Sequence, residues 1–329
     1  MNLLLAAAIN LLWIPQASNT NASLRGLSAA SPKVVWASGS AGTFLRTTDG
    51  GAHWQAAKVP DAEKLDFRDI QAFDDKTALL MAAGPGQASR VYKTIDAGAH
   101  WTLTLQNPDA SGFFDAFAFW DRTHGILLGD PVNGKFTIFV TANGGDTWTR
   151  ATPPPALPGE GAFAASGTCI TVQGTKDAWF GTGGLNVARV FHTSDRGKTW
   201  TASPTPLAQA AASAGVFSVL FTDGHHGYAI GGDYQKPTAS AQTLALTDDA
   251  GSSWTRLGIP SGFRSAIFHL SKPSLLLSVG TSGSDLSADG GHTWKPFSTG
   301  NFNVVAGVRS NIWAAGPKGS LAKLSLSTQ

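Results

Sequence analysis

One eight-residue motif recurs six times along this chain of 329 residues and limits the folds that the chain can adopt. The motif is Ser/Thr-x-Asp-x-Gly-x-x-Trp, with Asn143 in place of Asp in the third copy. Successive copies lie 40 to 54 residues apart. Repeats of about 40–50 residues built from short strands are typical of β-propeller blades. The motif tryptophans are Trp54, Trp101, Trp148, Trp200, Trp254 and Trp294.

Each copy predicts a hairpin turn between the third and fourth strands of a blade. The carboxylate can accept backbone N–H bonds from the turn, and the Ser/Thr hydroxyl can bond to the turn's own backbone. Glycine at the fifth position supplies a positive φ, and tryptophan fills the space between neighbouring sheets. The motif therefore predicts scaffold rather than function. Besides the tryptophans, the residues assigned to it are Asp49, Asp96, Asn143, Asp195, Asp249 and Asp289.

Six motifs predict seven blades, because the two chain ends complement each other. The residues after Trp294, together with those up to Trp13, have the length of one further unit. Residues 11–16 are expected to supply the fourth strand of this last blade. A turn cannot join two chain ends, so the seventh motif is absent, and pairing the ends removes exposed sheet edges. The predicted fold class is an all-β, seven-bladed propeller of four-stranded blades.

The predicted domain organisation is a single propeller over residues 11–329, preceded by residues 1–10. The apolar start of the chain resembles the hydrophobic region of an export signal, but it lacks a basic start and is short. Residues 1–10 are therefore either the remnant of such a signal or an N-terminal extension. They are too short to span a membrane. On this basis we expect an extracytoplasmic location, in a periplasm, in a lumen or outside the cell.

Composition argues against several classes of function. Charged residues make up 14% of the chain and the net charge is +2. No basic run or basic–aromatic stripe supports nucleic-acid binding. The sole cysteine, Cys169, excludes an internal disulfide and is expected to be buried. Apart from the adjacent His225 and His226 there is no metal-ligand spacing and no phosphate-binding loop, so neither a metal nor a cofactor is predicted.

The scarce charges concentrate where the loops of a propeller converge. Ligand sites usually lie at the channel mouth, on the face opposite the hairpin motifs. Arginines from several blades could meet there on one carboxylate, phosphate or acidic peptide. The alternative is that Arg and Asp side chains pair with one another across blades. The predicted partner-binding residues are Arg25, Arg68, Asp69, Arg90, Asp115, Asp130, Glu160, Asp233, Arg264, Asp285 and Lys318.

The repeated motif resembles the Asp-box, or bacterial neuraminidase repeat. Residues 11–326 as a whole are similar to the photosystem II stability/assembly factor family. The resemblance implies a seven-bladed, non-catalytic propeller on the lumenal or extracytoplasmic side that holds newly made membrane protein. The segments that carry it are residues 23–54, Asp66-Phe67-Arg68-Asp69-Ile70 and Gly316-Pro317-Lys318-Gly319.

The same resemblance implies an arginine-rich docking patch. Arg25, Arg68 and Arg264 are the positions of this chain that would carry it. Asp115 and Glu160 lie between these arginines in the predicted ring, so the patch is mixed in sign. The predicted function is thus capture of a protein partner, such as a membrane-protein assembly client. We expect the propeller to act as a monomer without a transmembrane segment.

Two other classes of function stay open at the level of sequence. Sialidases share the Asp-box and need three arginines, a Tyr nucleophile and an acid, but their Arg-Ile-Pro motif is absent here. Only Tyr234 of the three tyrosines is expected in a mouth loop. Asp115 and Glu160 could serve a glycoside hydrolase as acid and base if their carboxyls lay at a suitable separation. A carbohydrate-binding, lectin-like ring is the third interpretation.

Overall fold

The computed structural model describes residues 9–270 and 274–328, which form a ring of seven antiparallel sheets. The innermost strands of successive sheets contact one another all the way round, and the last contacts the first. The predicted all-β, seven-bladed propeller is therefore confirmed. The predicted export-signal remnant covers residues 1–10, of which 1–8 lie outside the described residues.

Four main strands make up each blade, numbered 1 to 7 along the chain. The innermost strands are Leu24–Ala29, Phe67–Ala72, Phe114–Phe119, Ile170–Gln173, Ala214–Phe221, Ala266–His269 and Val304–Val308. The second strands are Val35–Gly39, Ala78–Ala82, Gly125–Val132, Asp177–Gly181, Gly227–Asp233, Leu276–Gly280 and Asn311–Ala315. The third strands are Thr43–Thr47, Arg90–Thr94, Lys135–Thr141, Arg189–Thr193, Leu244–Thr247, Gly283–Ser287 and Leu321–Thr328. The outermost strands are Gln55–Lys58, Thr102–Gln106, Thr149–Arg150, Thr201–Pro204, Thr255–Arg256, Lys295–Ser298 and, in blade 7, Ile9–Pro15.

Three short elements lie on the loops between these strands. Glu160–Gly161 pairs with Gly183–Gly184, which in turn bridges to the innermost strand of blade 5. A 3₁₀ turn spans Gly86–Ala88. The two short strands tie the long connection from blade 3 to blade 4 onto the neighbouring sheet.

The ring closes through its two chain ends. Ile9–Pro15 runs antiparallel to Leu321–Thr328, with Trp13 opposite Leu324. Trp13 is buried and donates its indole N–H to Ser284 Oγ of blade 6 at 3.1 Å. The N-terminal strand thus completes blade 7 and anchors it to its neighbour, as the sequence predicted.

The hydrophobic core is divided into clusters that lie between neighbouring blades. One cluster joins Trp36 and Phe44 of blade 1 to Phe67 and Leu80 of blade 2. The motif residue Trp101 packs against this cluster, with its ring centroid 5.1 Å from that of Phe44. The motif tryptophan therefore fills the gap between sheets. Cys169 is buried, as expected.

The repeated motif forms a hydrogen-bonded turn between third and fourth strands. In the first copy, Thr47 Oγ donates to Asp49 Oδ1 at 2.8 Å and accepts the N–H of Gly51 at 3.0 Å. The N–H of His53 donates to Asp49 Oδ1 at 3.0 Å. In the third copy Asn143 Oδ1 accepts the equivalent bonds. We call the face of the ring that carries these turns the motif face.

Candidate functional site at the channel mouth

The innermost strands begin on the face opposite the motif turns and surround a cavity of ≈ 430 Å³. Each blade contributes to its wall at least one residue that lies in the innermost strand or in the segment before it. We call this space the mouth cavity and this side of the ring the mouth face. Seven of these residues, one from each blade in order, are Arg25, Arg68, Asp115, Ala165, Phe217, Ser265 and Asn303.

β-Bulges direct four of these side chains toward the cavity. The register between the innermost and second strands shifts between Leu24 and Gly26 and at the equivalent points of blades 2, 3 and 5. A bulge inserts one residue that has no partner across the ladder and re-aims its side chain. The inserted residues are Arg25, Arg68, Asp115 and Phe217.

Two guanidinium groups form one side of the mouth cavity. The Nε of Arg25 is buried and has no hydrogen-bond partner among the described residues. Burial and the neighbouring Arg68 lower the pKa of Arg25, while Asp66 raises it. Arg68 donates from Nε to Asp66 Oδ2 at 2.8 Å and from a terminal nitrogen to the Ala164 carbonyl at 3.3 Å. The result is a basic wall that retains an unused buried donor.

Two carboxyl groups stand beside this basic wall without neutralising it. Asp115 is 1% exposed, and its Oδ2 lacks a partner within residues 9–270 and 274–328. Burial and then the charge of Asp130 raise its pKa well above the usual range, against an opposing effect of Arg68. Burial also raises the pKa of Asp130, although its Oδ1 accepts the N–H of Ala162 at 2.9 Å. Burial therefore shifts both carboxyls toward the neutral form.

Aromatic rings form the other side of the mouth cavity. Phe163 stacks on Phe217 with centroids 3.8 Å apart, and Phe263 meets Phe217 edge-on at 4.7 Å. Tyr234 completes the group at 6.1 Å from Phe217 and is 49% exposed. Of these four rings, only Tyr234 was predicted from the sequence to lie at the mouth. Phe217 could have been found by aligning the blades, because it occupies the position that Arg25 occupies in blade 1.

A second cavity of ≈ 660 Å³ adjoins the first. The two share the wall residues Asp130, Ala162, Phe163 and Ala212. The second cavity continues over the connection from blade 3 to blade 4, where Leu157 lies on its wall. We call the two adjoining cavities, from the channel mouth to the connection between blades 3 and 4, the trough.

Arg264 and Asp285 do not reach the mouth cavity. Both side chains are fully buried, and Arg264 Nε donates to Asp285 Oδ2 at 2.6 Å. Arg264 also donates to the Phe263 carbonyl at 2.7 Å. Ser265 takes the wall position in blade 6, and a shift of one residue along extended chain turns a side chain to the opposite side. The geometry gives Arg264 a place inside blade 6, apart from Arg25 and Arg68.

Glu160 is also held away from the mouth cavity. Arg189 donates from Nε to Glu160 Oε1 at 2.9 Å, and the Thr182 hydroxyl donates to the same oxygen at 2.6 Å. The N–H of Leu157 donates to Oε2 at 2.8 Å. Glu160 lines the second cavity, whereas Asp115 lines the first, so the structure does not bring this carboxyl pair together in one cavity. Arg189 was not among the residues predicted from the sequence, because it lies on a third strand.

The remaining predicted residues do not line the mouth cavity. Asp69 is buried and accepts the N–H groups of Ile70 at 2.7 Å and Phe117 at 2.9 Å, which links blades 2 and 3. Burial raises the pKa of Asp69 well above the usual range, and these two bonds oppose the effect. The others are Arg90, which donates to the Gln87 carbonyl, Asp233, which accepts from the Ser213 hydroxyl, and the exposed Lys318.

Two further features concern metal-binding groups and membrane-spanning helices. Within the described ranges, no group of three or more His, Cys, Asp or Glu side chains could hold a metal ion. In those same ranges, no helix has the length and apolar character needed to cross a membrane. The groups that line the mouth cavity are guanidinium, carboxyl, hydroxyl, amide and aromatic side chains.

Comparison with known proteins identifies the fold. No protein-family model and no curated protein sequence matches the chain. The solved structure of YCF48 bound to D1 peptide has a TM-score of 0.66 at 16% identity, with 97% of each chain covered. YCF48 from Cyanidioschyzon merolae has a TM-score of 0.66 at 18% identity, with 94% of this chain and 98% of that chain covered.

An enzyme shares the same fold. Selenomethionine-substituted virginiamycin B lyase from Staphylococcus aureus has a TM-score of 0.66 at 12% identity, with 97% of this chain and 100% of that chain covered. At such identities the likeness establishes the fold, and function has to be argued from the site. The chain is thus a propeller with the fold of YCF48, a photosystem II assembly factor, and the resemblance predicted from its sequence is confirmed at the level of fold.

Proposed function

We propose that this propeller is a non-catalytic scaffold that binds a protein partner through the mouth cavity. The observation that carries the proposal is the Nε–H of Arg25, which is buried near Arg68 and has no partner in the part of the chain that the structure describes. A buried donor without an acceptor costs free energy, and a partner carboxylate would supply the acceptor in a charge-assisted bond. Burial raises the pKa of Asp115, which weakens its competition with a partner carboxylate for Arg25.

A structural neighbour supports a protein partner. YCF48, at a TM-score of 0.66, has been solved with a D1 peptide bound. The same fold can therefore hold a segment of another protein. Together with the family resemblance, this favours a membrane-protein assembly client as the partner of the present chain.

Affinity capture from the native host tests the proposal. The double variant Arg25→Gln and Arg68→Gln removes the basic wall while keeping the side-chain volume close to that of arginine. We expect it to retain the fold and to lose at least about tenfold in partner capture, which corresponds to one or two charge-assisted bonds. Arg256→Gln, at an exposed position on the rim of blade 5, is the matched control. Equal capture by the wild type and the double variant would contradict the proposal.

Catalysis is the second candidate, because a lyase shares the fold. Burial raises the pKa of the Asp115 carboxyl, and a raised pKa is what a carboxyl needs to act as a general acid. The enzyme interpretation predicts turnover of a panel of fluorogenic glycosides that Asp115→Asn abolishes. The binding interpretation predicts no turnover by either protein. A glycan array tests the lectin-like alternative in the same preparation.

We also propose an extracytoplasmic, monomeric protein. The apolar sequence at the start of the chain motivates the location. Cell fractionation of the natively expressed protein, with sequencing of its N-terminus, tests the location. Sedimentation of the purified protein tests the monomer, and a concentration-dependent mass would contradict it.

A further inference from the structure

The mouth cavity has two chemically different sides. Arg25, Arg68 and Asp115 line the side formed by blades 1 to 3, and Phe217 and Tyr234 line the opposite side. Its volume of ≈ 430 Å³ falls within the range of roughly 300–1,000 Å³ that is usual for small-ligand sites. A wholly basic mouth would select charge alone, whereas this cavity presents charge and aromatic surface to the same occupant.

We infer that the mouth cavity binds a carboxylate and an aromatic or bulky aliphatic side chain of the partner at the same time. The partner's anchor is then an acidic residue next to an apolar one in an extended segment. This inference rests on the proposed function, because that proposal supplies the existence of a protein partner. It goes further by stating the chemistry that the partner must bring.

The polar side offers two unused groups that suit a carboxylate. Arg25 Nε and Asp115 Oδ2 are both buried and lack partners among the described residues. A guanidinium donates N–H and a protonated carboxyl donates O–H, and a carboxylate can accept from donors of either kind. Asn303 also lines the cavity, but its amide N–H already donates to the Leu24 carbonyl at 2.8 Å. Among the described residues that line the cavity, the buried polar atoms without partners therefore belong to blades 1 and 3.

The aromatic side offers a surface for an apolar side chain. Tyr234 is half exposed and Phe163 partly exposed, while Phe217 and Phe263 are buried behind them. Aromatic rings attract other rings and aliphatic groups in stacked or edge-on contacts, and covering an exposed ring removes apolar area from water. A carboxylate without an apolar neighbour would leave this half of the cavity empty.

The shape of the trough favours a peptide over a free organic acid. A small aromatic acid would fit within the mouth cavity and leave the adjoining cavity unoccupied. The two cavities adjoin at the shared wall residues Asp130, Phe163 and Ala212. The chain of a peptide can continue past them toward Leu157, which is 48% exposed on the far wall.

Fluorescence anisotropy with defined probes tests the inference on the full-length protein. The probe is a labelled acetyl-Gly-Gly-Phe-Glu-Phe-Gly amide, whose blocked terminus confines the carboxylate to the side chain. One control peptide replaces both Phe by Ser, and another replaces Glu by Gln. We expect each control to bind at least about tenfold more weakly than the probe. Phenylacetate is the free-acid arm, and we expect it to compete with the probe but to bind more weakly.

Variants assign each preference to one side of the cavity. Arg25→Gln should reduce the preference for Glu over Gln and leave the preference for Phe over Ser in place. Tyr234→Ser should have the converse effect, and Phe163→Ala provides a second test of the aromatic side. Arg256→Gln and Ile95→Ser are controls, because Arg256 is exposed on the rim and Ile95 is 71% exposed within the motif of blade 2. The melting temperature of each variant verifies its fold.

The outcomes separate this inference from the proposed function. The inference is overturned if no probe binds, if Phe and Ser peptides bind alike, or if neither aromatic variant alters the preference for Phe. Phenylacetate binding as tightly as the peptide would overturn the peptide as occupant. If native partner capture depends on Arg25 while the probes show no aromatic preference, the proposed function stands and the inference fails. Partner capture that does not depend on Arg25 would contradict the proposed function instead.

Discussion

The two faces of this ring use aspartate in opposite ways. On the motif face, Asp249 accepts bonds from the hydroxyl and N–H of Ser253 and from the Thr247 hydroxyl, which lower its pKa to about 2. On the mouth face, Asp115 has no partner for one oxygen among the described residues, and burial raises its pKa. Scaffold and candidate site can thus be told apart by how completely each carboxyl is hydrogen bonded.

The faces differ equally in how strictly they repeat. The motif turn keeps nearly the same residues in six blades, because every copy has to make the same turn. The wall of the mouth cavity changes from blade to blade, through arginine, aspartate, alanine, phenylalanine, serine and asparagine. In a repeat protein a binding site for an asymmetric partner requires such differences. The comparison therefore supports the proposal that the binding site lies where the repeat breaks down.

The largest expected effect comes from a residue of the mouth face that belongs to the scaffold. Arg264→Leu removes the partner of Asp285 and leaves a carboxylate that is 0% exposed without its ion pair. Breaking a buried pair costs roughly 3–5 kcal/mol, because the remaining charge is uncompensated. Urea unfolding should show this loss. Adding Asp285→Leu should restore a large part of it, and a single variant as stable as the wild type would contradict the buried ion pair.

Arg264 also shows which features of the structure can be predicted from the sequence and which cannot. The intervals between motifs depend on the chain alone, so they sufficed for the blade number and for the closure of the ring by Ile9–Pro15. Whether Arg264 or Ser265 faces the cavity depends on a register of one residue. That register is decided by pairing and packing with neighbouring strands, so the sequence of one blade does not reveal it.

The aromatic side of the cavity was missed for a related reason. Phe217 and Phe263 look like core residues, and both are indeed buried. Their place on the cavity wall follows from the bulge in blade 5 and from the ring as a whole, which are tertiary features. The bond between Glu160 and Arg189 likewise joins residues of different elements. Which residues pair between different elements depends on the tertiary structure, and residue spacing along the chain does not predict it.

The pH dependence of stability should separate the two faces. The pKa of Asp249 in the folded state lies below its value in the unfolded state. The stabilisation that Asp249 contributes is therefore present above about pH 4 and is lost as the pH falls through about 2. The folded pKa of Asp115 lies above its unfolded value, so its contribution is fully present below about pH 4. That contribution is lost as the pH rises through the folded pKa, at about 1.4 kcal/mol for each unit of difference.

Asp115→Asn tests this contrast, because asparagine keeps the shape and cannot ionise. Chemical unfolding across a pH series should show a shallower decline toward high pH in the variant and an unchanged decline below about pH 4. Asp69 and Asp130 also have raised pKa values, so part of the decline toward high pH remains. Identical profiles for the variant and the wild type would show that Asp115 does not titrate as its burial requires.

The smallest effect is expected on the motif face. Asp195 accepts bonds from the Thr193 and Thr199 hydroxyls and from the N–H groups of Lys198 and Thr199. Asp195→Ala should lower the free energy of unfolding by about 1 kcal/mol, since the turn is exposed and water replaces part of what is lost. Asp195→Asn should cost less, because Asn143 Oδ1 makes the equivalent bonds in blade 3.

Neither change at Asp195 should alter partner capture, because the residue lies on the face opposite the mouth cavity. The replacement of aspartate by asparagine then gives opposite readouts on the two faces. At Asp195 it slightly weakens a turn and leaves binding intact, whereas at Asp115 it changes the pH profile. A binding defect in Asp195→Asn with unchanged stability would place function on the motif face and remove the distinction between scaffold and site.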